Sequence, residues 1–206
     1  AVLGINLEEI VESRILPSHL RQKDKDNKLG ILDVRVLLNN KEQIDIEIQV
    51  TSSEYWVERT LFYLGKMFVD QLKPGEDYQK LEKCIHVGIL NFTLFDDEEY
   101  YSRFHFWSDQ GRKMYSDKYE IHTLELPKLA KHEYPETELL KWLQFINAET
   151  KEEFEMAAEK SEYIKKAYED LNRISADEEK RLEYEARERA IRDHQYFFYC
   201  LQRDWA

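Results

Sequence analysis

The chain has 206 residues, 42% hydrophobic and 13% aromatic, with 30 Lys and Arg against 42 Asp and Glu for a net charge of -12. That is apolar material enough for one medium domain plus an appendage, which excludes a disordered polymer. The acid excess runs through both the first 128 residues and the remainder, so nucleic acid cannot be gripped by overall charge and any such contact needs a local basic rim.

No apolar run approaches the roughly 20 residues of a membrane helix. The start, AVLGINLEEI, has no basic segment or cleavage site, and the expectation is a cytoplasmic protein. Cys84 lies in an apolar strand and Cys200 near the end, so no disulfide framework is expected, and His194 with Cys200 lacks zinc-ligand spacing. Gly75 and Gly88 stand alone, without the clustering of a phosphate loop, so no nucleotide cofactor is expected.

In chain order, AVLG reads as the end of a helix that begins upstream. Residues 8–17 are expected as a strand, although EEIVESRILP alternates imperfectly. The loop RQKDKDNK offers Arg21, Lys23, Lys25 and Lys28 to phosphate, but Asp24 and Asp26 dilute them and favour a solvated loop.

Residues 31–50, ILDVRVLLNNKEQIDIEIQV, organise the chain. Apolar residues alternate on two arms, Leu32, Val34, Val36 and Leu38, then Ile44, Ile46, Ile48 and Val50, which predicts a hairpin. The opposite face carries Asp33, Arg35, Asp45, Glu47 and Gln49. A three-residue loop, Asn39 to Lys41, brings both apolar sets to one face and pairs Asp33 with Glu47, their β-carbons about 5 Å apart. Two readings stand. The acid face meets water, or Asp33, Glu47 and the Ile48 carbonyl hold a hard divalent cation such as Mg2+, which offsets carboxylate repulsion.

Thr51 to Glu54, TSSE, is a capping-box sequence that predicts a helix to about Leu72, ahead of Pro74 and Gly75. Arg59, Tyr63 and Lys66 share a polar stripe. If the helix covers the acid face, Arg59 can steady a phosphate and Tyr63 or Lys66 can order water; otherwise Arg59 pairs with neighbouring acids and Tyr63 is core. Residues 84–95, CIHVGILNFTLF, predict a buried central strand, with His86 read as a satisfied core histidine. Residues 100–107 and 119–126 are further strands around a turn at Asp109 to Gly111. His105 and His122 on them are read as packing residues ahead of general bases.

Beyond Pro135 the pattern is helical: residues 136–148, then about 151–173 and 176–201, the last two opened by capping boxes at Thr150 to Glu153 and Ser175 to Glu178. Domains are expected at 1–134 and 135–206, the latter holding a charged antiparallel helix pair. Arg181, Arg187, Arg189 and Arg192 are interspersed with acids, which favours a solvated face over a DNA grip. The aromatic terminus YFFYCLQRDW seeks a partner surface, within the chain or in a homodimer.

An Asp on one strand followed by Glu-x-Lys or Glu-x-Gln on the next, and then a helix, is the signature of the PD-(D/E)XK nuclease superfamily. Asp33 and Glu47-Ile48-Gln49 match it, and the stretches YWVERTLFYLGKMFVDQLKPGEDYQKLEKCIHVGILNFTLF, YEIHTLELPKL and FINAETKEEFEMAAEK resemble its bacterial branch of recombination-promoting nucleases and transposases over nearly the whole chain. The resemblance implies an α/β restriction-endonuclease-like fold, a mixed β-sheet flanked by helices with a C-terminal helical appendage, and an upstream helix before residue 1. It implies a metal-dependent DNA endonuclease acting in recombination or mobile-element biology, with Asp33, Glu47 and Gln49 catalytic and Mg2+ or Mn2+ as cofactor. Two departures are present: Leu32 stands for the proline, and Gln49 for the lysine that orients water and offsets charge. Gln49 can hydrogen-bond water but brings no charge. The acid excess and Gln49 keep a second reading open, a nuclease fold that cuts nothing and serves as a binding scaffold.

Overall fold

A computed structural model describes residues 1–5, 7–16, 33–39 and 41–176. The loop 21–28, the last expected helix, the arginines at 181, 187, 189 and 192, and the aromatic terminus lie outside the described residues. The chain divides into two compact units, residues 1–136 and 137–206.

The first unit holds one sheet of six strands, β1 (Ser13–Leu16), β2 (Val34–Leu38), β3 (Glu42–Gln49), β4 (Cys84–Leu90), β5 (Tyr101–Trp107) and β6 (Met114–Glu125), in the order β1-β2-β3-β4-β6-β5. The β3–β4 and β4–β6 pairs are parallel and the others antiparallel. With its helices, this mixed sheet is the expected α/β restriction-endonuclease-like fold. Every residue of β4 is buried, as its apolar run predicts for a central strand.

Helix α1 (Trp56–Val69) joins β3 to β4. Its Tyr63, Leu64 and Met67 pack on Cys84, with Phe68, Tyr119 and Ile121 around them. Complete burial of Leu64 and Met67 contributes about 1.5–3 kcal/mol each. The same burial pushes the Cys84 thiol up to about 12, so it is an inert core residue. At its start, α1 lays Trp56 against β4 where Gly88 has no side chain; a Cβ there would stand 2.7 Å from the indole Cζ2.

The start of α1 departs from expectation. Thr51 to Glu54 forms no capping box: the helix opens at Trp56, its N-cap Tyr55 makes no side-chain bond, and Ser53 Oγ accepts the Tyr55 N–H at 3.3 Å. The segment past β3 instead bends at Thr51 and turns at Glu54 and Tyr55, the Asn91 N–H holds the Gln49 carbonyl at 2.9 Å, and the helix begins where Trp56 docks. It ends at Val69, three residues short of Leu72.

Three strand boundaries also shift. β1 keeps only the last part of residues 8–17, a 3-10 turn occupying Leu7–Glu9. Asn39, at φ 50, accepts the Val11 and Glu12 N–H groups on Oδ1 at 2.9 and 3.2 Å and donates from Nδ2 to the Glu9 carbonyl, engaging groups a longer ladder would use. Asn tolerates this left-handed conformation. β4 stops at Leu90 because the Glu125 carboxylate takes the Leu94 and Phe95 N–H groups. β6 starts five residues early, Met114 pairing Trp107 around the turn at Gly111.

In the second unit, Thr137 caps α2 (Glu138–Ile146), and the capping box at Thr150 and Glu153 opens α3 (Lys151–Glu159) with both of its bonds formed. The single helix expected over 151–173 is broken: α4 runs Glu162–Ala176, and the rest of the second box lies outside the described residues. The break lets Phe154 stack on Tyr168, centroids 5.9 Å apart, and buries Ile164 with Ala157 and Phe145. A straight helix would string those residues out along one axis.

Candidate active site

The hairpin sets the site. Val34 pairs with Ile46, Val36 with Ile44 and Leu38 with Glu42, so the loop spans Asn39 to Lys41 and the register, continued by one residue, sets Asp33 across from Glu47. The Asp33 carboxylate accepts the Ile48 N–H at 3.2 Å. Burial inverts the simplest reading of the two faces: Ile48 and Val50 are exposed on the apolar side, whereas Asp45 and Glu47 are 0% and 2% exposed. Alternation gives Asp45, Glu47, His86 and Gly88 one face through the β3–β4 register, and α1 covers it.

Beneath α1 the polar groups converge. Arg59 Nη2 forms an ion pair with Glu47 Oε1, and its guanidinium lies 5.6 Å above the Tyr63 ring. His86 Nδ1 is 2.8 Å from Asp45 Oδ2, and its Nε2 lies 3.5 Å from Thr60 Oγ1. Burial pushes the Glu47 carboxyl above its ordinary value, opposed by the charges of Arg59 and His86 and reinforced by those of Asp45 and Asp33.

Glu47 Oε2 and Asp45 Oδ1 are buried without hydrogen-bond partners. Such oxygens are costly unless something cationic reaches them. Asp45, Glu47 and His86 each bring one ligand atom within 4.8 Å of the others, so the donor set fits a divalent ion. Asp33, exposed and bonded to the Ile48 N–H, is not one of these three ligands.

Of the sequence-derived residues, Asp33, Glu47, Ile48, Arg59 and Tyr63 are thus brought together. Gln49 is adjacent, but its amide donates to the Thr51 carbonyl at 2.9 Å. Lys66 is two helical turns past Arg59, about 10 Å along the axis, and no described hydrogen bond joins it to the carboxylates. The stripe's two alternatives are both partly realised: Tyr63 is core, and Arg59 pairs with an acid, though with Glu47 itself.

Sequence reasoning left Asp45 and His86 out of the site. The signal for Asp45 was present, since Asp-x-Glu on a strand gives both acids one face. His86 lacked one: its meeting with Asp45 depends on the parallel register of strands separated by a whole helix. His105 and His122 belong elsewhere, around Glu120. Among the described residues, no helix is long and apolar enough to cross a membrane.

A family model described as PD-(D/E)XK nuclease family transposase matches residues 1–199. No curated protein and no solved structure matches the chain.

Proposed function

This chain belongs to the PD-(D/E)XK nuclease family transposases, and from that premise we propose that it is a metal-dependent endonuclease hydrolysing phosphodiester bonds of duplex DNA. The observation that carries the reading is the register that sets Asp33 across from Glu47, next to buried carboxylate oxygens without partners. Asp33, Glu47 and the Ile48 carbonyl would hold Mg2+, or Mn2+ in its place. Lewis acidity toward the phosphate and a more acidic water are what a divalent ion supplies there when bound.

The chain's own residues do the rest. Arg59 pairs with Glu47 and steadies a phosphate oxygen; its Nε, buried without a partner, is a ready donor. The Tyr63 ring backs the guanidinium. Gln49 orients the attacking water by leaving the Thr51 carbonyl, and Lys66 meets the DNA backbone farther along α1. Without a lysine charge at Gln49, turnover is slow.

A nicking assay on supercoiled plasmid with Mg2+ tests this, with Glu47→Ala as control: nicking by wild type alone is expected, and equal nicking by both proteins refutes it. The second reading, a binding scaffold that cuts nothing, is favoured by Gln49 being turned to backbone and by the net charge of -12. It predicts equally weak Mg2+ binding by wild type and Asp33→Ala. We also propose a homodimer through the C-terminal helices and a cytoplasmic setting.

A further inference from the structure

We propose that Asp45, Glu47 and His86 form an inner cation site with a nitrogen ligand, which takes a transition-metal ion such as Mn2+ in preference to Mg2+. This rests on the endonuclease reading for Glu47, and adds to it two ligands from outside the matched motif. The three residues are 0%, 2% and 1% exposed, so bulk water does not reach them. Asp45 Oδ1 and Glu47 Oε2 are the unpartnered oxygens, while Arg59 occupies Glu47 Oε1. Glu47 therefore has one oxygen for each side.

The spacing suits one ion. Two ligands on a shared cation stand at most about 4.2 Å apart with 2.1 Å bonds, and the three ligand atoms lie within 4.8 Å of one another, so a small inward turn of the side chains brings them onto one ion. His86 is set to ligate through Nδ1, now bonded to Asp45, while Nε2 keeps its contact with Thr60 Oγ1. A ligating imidazole ordinarily has such an outer partner on its other nitrogen. Trp56, its ring centroid 5.7 Å from that of His86, closes the site from water. Imidazole suits transition ions, whereas Mg2+ prefers oxygen and keeps its waters.

The test is Mn2+ binding to the full chain, followed by electron paramagnetic resonance with spin-echo modulation. Wild type is expected to show imidazole 14N modulation. In His86→Gln that modulation disappears and the Mn2+ dissociation constant rises about tenfold or more, with Mg2+ affinity unchanged within about twofold. Should His86→Gln not fold, Asp45→Asn makes the same discrimination through weakened Mn2+ binding. Absence of 14N modulation in wild type, modulation persisting in His86→Gln, or unaltered Mn2+ affinity in the folded variant each overturns the inner site. None of these touches the endonuclease reading, which fails instead if Glu47→Ala nicks plasmid as wild type does.

Discussion

Replacing Glu47 by glutamine should make the protein more stable and functionally dead. Burial raises the Glu47 pKa by more than Arg59 and His86 lower it, so the fold favours the neutral carboxyl, which glutamine imitates in shape. A group with a raised folded-state pKa loses stability as pH climbs from its unfolded to its folded pKa, so the penalty is present at pH 7 and has mostly gone near pH 4. Leaving a buried polar oxygen such as Glu47 Oε2 without a partner costs about 1–3 kcal/mol, more when it is charged, and Arg59, 37% exposed, finds water when its ion partner goes. The net gain in Glu47→Gln is on the order of 1 kcal/mol, or about 2–4 °C in Tm for a chain of this size. Metal reverses the order: an ion at one hundred times its Kd stabilises wild type by about 2.7 kcal/mol and the variant little. Thermal melts of both proteins at pH 4 and pH 7, with and without Mg2+, should show the curves crossing. A metal-free variant less stable than wild type at pH 7 would refute the electrostatic reasoning; equal Mg2+ stabilisation of both would refute the site.

Three other outcomes follow from particular contacts. Asp33→Ala, at an exposed residue, should leave urea stability within about 1 kcal/mol and reduce nicking at least about 100-fold, so a large loss of stability would mean a structural role. Gly88→Ala drives a methyl into Trp56 and should cost about 1–3 kcal/mol, with altered indole fluorescence as the local readout. Burial alone would raise the Glu120 pKa, but the hydrogen bond and charge of Lys83, with His122, hold it down to about 2. Its stabilisation is present above about pH 4.5 and lost as pH falls through about 2, so Glu120→Gln should cost about 2 kcal/mol at pH 7, allowing for half-exposed Arg103, and nothing near pH 2.

Local alternation by itself determined the hairpin, its three-residue loop and the pairing of Asp33 with Glu47, because a strand's period of two leaves one register that unites the apolar faces. The central strand and the capping box at Thr150 were equally legible, each being a pattern confined to a few neighbours. Tertiary structure decided everything that depends on what lies above or beside those elements. Trp56 against Gly88, not TSSE, fixed where α1 begins; Phe154 stacking on Tyr168 broke a helix the sequence draws as continuous. Above all, the helix crossing from β3 to β4 buried Asp45 and Glu47 and brought His86 to them across 41 residues of chain. Burial is a property of the packed assembly, and the unpartnered oxygens that make these acids chemically interesting exist only once water has been excluded from them.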